Sequence, residues 1–211
     1  MTPRLCLMSG LFVLAVLWCG PLPQLAGRSF AAHMTLHMGL VAVAAPLLAL
    51  GIAGGRFDPV RRASAWFPPV PLSLIELVVV WAWHAPALHH WARNSGVGWV
   101  AEQSTFLSAG LLVWLSVFGG ETNRQRERSG AGIAALLLTS MHMTLLGALL
   151  ALTPRALFVH AGHGGSLAQL DDQHLGGAIM LGVGGASYLA GGLWLTVRLL
   201  REKTAGQEAH P

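Results

Sequence analysis

Charge is what this sequence has least of. Only 10% of its 211 residues are Asp, Glu, Lys or Arg, and 54% are apolar; soluble domains carry about 25% charged residues. The shortage excludes an ordinary water-soluble domain. Cysteine is nearly missing too, with two in the chain. Cys6 and Cys19 fall in one apolar run, where a helix holds them roughly 20 Å apart, beyond the ~7 Å reach of a disulfide. No internal bridge is expected. No nucleophile–base–carboxylate arrangement stands out, and no glycine loop has phosphate-binding spacing despite 26 glycines. Classical enzymology therefore has little support. Linkers, low-complexity tracts and internal repeats are lacking as well, which leaves one domain over residues 1–200 and a short polar tail, 201–211, expected to be disordered.

Apolar length is what the sequence does have. Crossing a hydrocarbon core about 30 Å thick takes roughly 20 apolar residues in a helix. Six stretches approach or reach that length: Leu5–Gly20, Phe30–Ile52, Pro71–Trp91, Trp99–Phe118, Ala131–Leu152 and His174–Leu200. The expected fold class is all-α, a polytopic transmembrane helical bundle of about six spans. The first run also resembles a secretory signal, but no cleavage site follows Gly20-Pro21-Leu22-Pro23, so a retained helix is the preferred reading. In the last stretch Gly182, Ala186 and Ala190 recur every four residues, as do Ser187 and Gly191, a spacing that lets helices approach closely in lipid.

The pI near 10 is a matter of topology and gives no reason to expect nucleic acid. Cytoplasmic loops are enriched in Lys and Arg. With the N-terminus inside, the cytoplasmic segments hold Arg4, Arg56, Arg61, Arg62, Arg124, Arg126, Arg128, Arg198, Arg201 and Lys203, and the opposite loops hold only Arg28, Arg93 and Arg155. Both termini are then expected to be cytoplasmic.

On this map the histidines are one-sided. His33, His37, His84, His89, His90, His142, His160, His163 and His174 fall towards the outer face, and of the ten histidines only His210 does not. An ionisable residue inside a membrane helix is costly and marks a functional site by default. His33 and His37 are four apart and share one helix face; Met34 and Met38 form a second stripe about 100° around it. His142 lies between Met141 and Met143. Imidazole with thioether suits Cu(I) and suits Ca, Mg or Mn poorly. His33, Met34, His37, Met38, His84 and His142 are therefore the candidate copper ligands. Interhelical hydrogen bonding is the plain alternative.

His89, His90, His160 and His163 read as wet interfacial residues, although His160-x-x-His163 in its Gly-rich loop could also collect metal. Glu102 is placed to orient a ligating imidazole. Asp172 reads either as a helix N-cap or as metal-linked. Glu76, on the cytoplasmic side of the third span, is expected to pair with a basic loop residue.

Four motifs in order, His33-Met34-x-x-His37-Met38, Trp83-His84-x-Pro86, His142-Met143-x-x-Leu146-Gly147 and Asp172-Gln173-x-Leu175-Gly176-Gly177 with a following Gly-Gly-x-x-Tyr188-Leu189, resemble the CtaG family of cytochrome c oxidase assembly factors. The resemblance implies a non-catalytic multi-pass protein of the bacterial cell (inner) membrane that helps to build a haem–copper oxidase, with oxidase subunits as partners and copper as cargo. By position its motif residues are His33, Met34, His37, Met38, His84, His142, Asp172 and Gln173, with His174 beside them. The chain departs from the pattern at Gln103, where another histidine would be expected. A second family of oxidase copper chaperones shares the name, but it has a single anchor and a soluble cysteine-bearing domain, unlike this chain. The rival readings are a membrane cytochrome with bis-histidine haem, a copper permease and a metal-free scaffold.

Overall fold

A computed structural model describes residues 2–120, 122–158 and 166–208, without side chains at 122–127, 166–167 and 202–208. Among the described residues every regular element is helical: α1 Pro3–Cys19, α2 Leu22–Ala26, α3 Phe30–Met38, α4 Ala45–Ile52, α5 Pro59–Arg62, α6 Pro69–Trp83, α7 Pro86–Asn94, α8 Gly96–Phe118, α9 Thr122–Leu152, α10 Ser166–Ile179 and α11 Gly185–Glu208, with a short 3₁₀ turn at Ser64–Trp66. One π-turn, Gly39–Ala44, joins α3 to α4, and a second, Met180–Gly184, joins α10 to α11. Both cysteines are free.

Four stretches are long and apolar enough to cross a membrane: 30–52, Gly96–Phe118, Arg128–Leu152 and Ala168–Arg201. The expected third span is instead a bent pair, α6 and α7, meeting at 72°. Pro86 is the reason: the residue before a proline is driven out of the helical region, and Ala85 is extended at φ −67°, ψ 130°. Helix α1 has 17 residues, about 25 Å of helix, and falls short of the core thickness. The polar tail is also corrected in part, since α11 runs on to Glu208 rather than stopping at Leu200.

The segments alternate in direction. Gly10 lies on Leu48 and Gly51 on Leu7, so α1 runs antiparallel to α4. Ser73 meets Ala135 and Glu76 meets Thr139, so α6 and α9 are parallel. Gly147 lies on Leu181 and Gly177 on Ala151, so α9 and the last span are antiparallel. At that crossing a Cβ on Gly177 would stand 2.5 Å from the Ala151 backbone nitrogen; only glycine permits so close an approach. Of the stripes expected to pack, Gly182, Ala186 and Ala190 are instead exposed, whereas Gly191 lies against Trp114 and Ser187 donates to the Ala42 carbonyl. The closest backbone approach between helices is the Gly147–Gly177 crossing.

Polar groups sort to the two ends of the bundle. At one end Asp58 accepts from the backbone of Gly54, Val60 and Gly120 at 2.8 Å, and Arg128 donates to the Phe67 and Ser116 carbonyls. His33, His84, His89, Glu102 and Asp172 gather at the other.

The midsection holds one acid, Glu76, and the expected basic partner is not there among the described residues. Tyr188 Oη lies 2.5 Å from one carboxyl oxygen, and Thr139 donates to the other at 3.1 Å. The first π-turn explains why Tyr188 comes here. Pro46 has no N–H, so the Val41 carbonyl lacks the partner that π spacing would supply. It accepts instead from Trp114 Nε1 at 3.0 Å and lies 3.2 Å from Tyr188 Oη.

Candidate functional site

Helix α3 begins with an N-cap from another helix. Asp172 on α10 accepts from Ser29 Oγ and the Phe30 backbone N–H, both at 2.6 Å, and from the Ala31 N–H at 3.3 Å. Ser29 in turn accepts from Ala32 N–H at 3.2 Å. A carboxylate at a helix N-terminus satisfies orphan donors and complements the macrodipole. N-capping was the plain expectation for Asp172, but the helix capped is not its own. The neighbouring motif residues also hold backbone: Gln173 Oε1 accepts from Leu157 N–H at 2.6 Å, and His174 Nε2 lies 2.8 Å from the Thr153 carbonyl.

This cap positions His33 and His37, both fully buried, towards α6 and α8. The His37 ring lies 3.8 Å from that of Phe106 and 5.5 Å from that of His84; His33 lies 6.2 Å from His84. His84 occupies the break after α6, where its Nδ1 donates to the Val80 carbonyl at 2.6 Å. A carbonyl can only accept, so the proton is on Nδ1 and the Nε2 lone pair is free, without a hydrogen-bond partner among the described residues. His142, 4% exposed, is close enough to couple electrostatically to His37. It also lines an apolar cleft of about 790 Å³ with Leu77, Trp81, Met141 and Leu181.

The break does more than place His84. It lays α7 across the top of α8, where Gly98 lets the backbones touch: a Cβ there would stand 2.9 Å from the Trp91 carbonyl. His89, 3% exposed, then comes inward with its ring 4.9 Å from that of His33, and Arg93 pairs with Glu102. Ligand atoms of His33, His89 and Glu102 lie within 4.8 Å of one another. Glu102 Oε1 is 3.9 Å from His33 Nε2, too far to orient the ring by a hydrogen bond, which was its expected role. Gln103 Nε2 donates to the other carboxyl oxygen at 3.1 Å. Phe30 and Phe158, stacked at 4.4 Å, lie against His89.

Of the residues singled out in the sequence, His33, His37 and His84 come together, with His142 beside them. Met34 and Met38 pack against the last span: the Met34 γ-carbon lies by Gly176, and the Met38 sulfur lies by Gly184. His160 and His163 lie outside the described residues. His90 is exposed, as expected of a wet residue. His89 and Arg93 were missed as site residues. Their one signal was the i, i+4 spacing just after a helix-breaking proline, with Ala92 sharing the buried side.

These groups suit a cation. His33, His37 and His142 each have two ring nitrogens, and His84 one, buried without hydrogen-bond partners among the described residues. Each such group costs about 1–3 kcal/mol, so helix packing alone gives no reason to collect them. Metal coordination uses one lone pair of each ring.

A family model described as cytochrome c oxidase caa3 assembly factor (Caa3_CtaG) matches residues 3–202. Nothing among the curated proteins or the solved structures matches this chain.

Proposed function

We propose a copper-handling role for this chain, which belongs to the cytochrome c oxidase caa3 assembly factor family. Copper is its cargo, taken up at the histidine-lined end and passed to the catalytic subunit of the oxidase within the membrane. The observation that carries this reading is the convergence of His33, His37, His84 and His142, with both ring nitrogens of His33, His37 and His142 and Nε2 of His84 buried and without hydrogen-bond partners among the described residues. The arginine-rich end is cytoplasmic by the positive-inside rule, so both termini lie inside and the histidines open outward from a bacterial inner membrane.

His33, His89 and Glu102 form the outer station, and His37, His84 and His142 form the deeper one. His142 separates the deeper station from a cleft whose walls are apolar. A membrane-embedded acceptor reaches that side more readily than a soluble one. A bare ion suits the spacing, because the His37 and His84 rings stand 5.5 Å apart with Phe106 packed against His37 at 3.8 Å. No step of this role makes or breaks a covalent bond in a substrate, so the role is non-catalytic.

Copper content and an optical spectrum of the purified wild type, His33→Ala and His84→Ala test the reading. Stoichiometric copper in the wild type and its loss in both variants is the expected result. Unchanged copper in both variants refutes the site, and a Soret band that disappears with the same substitutions replaces copper by haem.

A further inference from the structure

Arg93 stands out because a cation already occupies the carboxylate of the outer station. Helix α7 carries His89 and Arg93 four residues apart, hence on one face. His89 supplies a candidate ligand, and Arg93 holds Oε2 of the carboxylate that would be the third ligand, whose Oε1, 3.9 Å from His33 Nε2, has no hydrogen-bond partner among the described residues. The guanidinium is lightly held otherwise. Its other hydrogen bond among the described residues, to the Ala26 carbonyl, is long at 3.5 Å, and its Nε has no hydrogen-bond partner there. A buried guanidinium has five N–H donors to satisfy, and at only 8% exposure few of these reach water. Arg93 sits near the end of α7, one residue before Asn94, so its long side chain can turn towards the interface by snorkelling.

We propose that Arg93 is an exchangeable counter-cation: it neutralises Glu102 when the station is empty of metal and withdraws when a metal cation takes the carboxylate. The inference rests on the copper reading above and adds its regulation. Glu102 is then never left as an uncompensated buried charge, a state that proteins avoid because its desolvation is so costly. Loading swaps one cation for another, and unloading swaps it back. Two unit charges about 4 Å apart at an effective dielectric near 20 disfavour each other by roughly a thousandfold in an equilibrium. Arg93 thereby holds the metal affinity down to a level from which a delivery protein can release its cargo. A residue that merely pinned α7 in place would have the opposite effect on affinity when removed.

The sign of the effect is therefore the test. Cu(I) is titrated anaerobically into purified wild type, Arg93→Gln and Arg93→Lys against a chromogenic Cu(I) chelator, with thermal unfolding of each in detergent as the folding control. Arg93→Gln should bind about a hundredfold more tightly, partial withdrawal of the guanidinium having already relieved part of the repulsion. Arg93→Lys should stay within a fewfold of wild type. Arg93→Met serves the same purpose if the glutamine variant does not fold. Equal or weaker binding by the neutral variants, with wild-type binding intact, overturns the counter-cation role and leaves the copper reading standing. A wild type that binds no Cu(I) overturns both.

Discussion

Removing the Asp172 carboxylate should unseat a helix more than a hundred residues away. Asp172→Ala deletes the acceptor for Ser29 Oγ, Phe30 N–H and Ala31 N–H. Hydrogen bonds to a charged group contribute about 1.5–3 kcal/mol each when buried; here the bonds are part-buried, the third is long, and water can replace some of the loss. The favourable placement at the helix N-terminus adds about 0.3–1 kcal/mol. The expected destabilisation is about 3 kcal/mol. Asp172→Asn, which keeps one acceptor oxygen but no charge, should cost about half of that. Denaturant unfolding of the purified protein in detergent measures both. Because Ser29 and Asp172 share one network, the double variant Ser29→Ala with Asp172→Ala should be less destabilised than the sum of the single variants, by about 0.5–1 kcal/mol. The first turn of α3 should also lose amide-exchange protection through His33, and copper should fall although no candidate ligand has changed. A loss of stability below about 0.5 kcal/mol for Asp172→Ala, with unchanged exchange at Phe30–His33, would refute the claim that this carboxylate orders α3.

Other consequences can be measured in the same way. Glu76→Ala leaves the Tyr188 and Thr139 hydroxyls without their carboxyl partner in the bundle interior and should lower stability by about 3 kcal/mol, whereas Tyr188→Phe should cost about 1 kcal/mol; copper content should be kept in both, and its loss in Tyr188→Phe would show that the midsection network reaches the metal station. Gly177→Ala pushes a methyl group into the Ala151 backbone and should cost about 1–3 kcal/mol as the crossing opens, read as a lower melting temperature; an unchanged melt would place the closest approach elsewhere. His89→Ala should weaken Cu(I) binding by at least about tenfold and His90→Ala should leave it unaltered, because the first ring is buried beside His33 and the second is exposed; equal effects would remove His89 from the site.

Much of the architecture could be read from hydropathy. In lipid every backbone amide must be paired within the protein, so a long apolar run becomes a helix whatever its neighbours do. The stretches 30–52, Gly96–Phe118 and Arg128–Leu152 therefore appear close to where composition placed them. Gathering of the histidines at one end was legible for the same reason: alternating helices carry position along the chain directly into depth in the bundle.

Rotation about each helix axis, and the direction a chain takes after a break, were not legible. Period and hydropathy assign depth, but neighbouring helices decide which face of a helix meets which partner. Met34 and Met38 shared the depth of His33 and His37, yet they face Gly176 and Gly184 on the last span. Pro86 announced a break but not its 72° angle, and that angle brings His89 and Arg93 inward from what read as a wet loop. Asp172 was recognisable as a capping residue, but only the packing of α10 beside α3 decided which helix it caps. The sequence by itself determined an all-helical apolar bundle with its imidazoles at one end. The tertiary structure decided which imidazoles share a site, and that a guanidinium already holds the carboxylate among them, because these contacts join segments whose relative rotation no local pattern encodes.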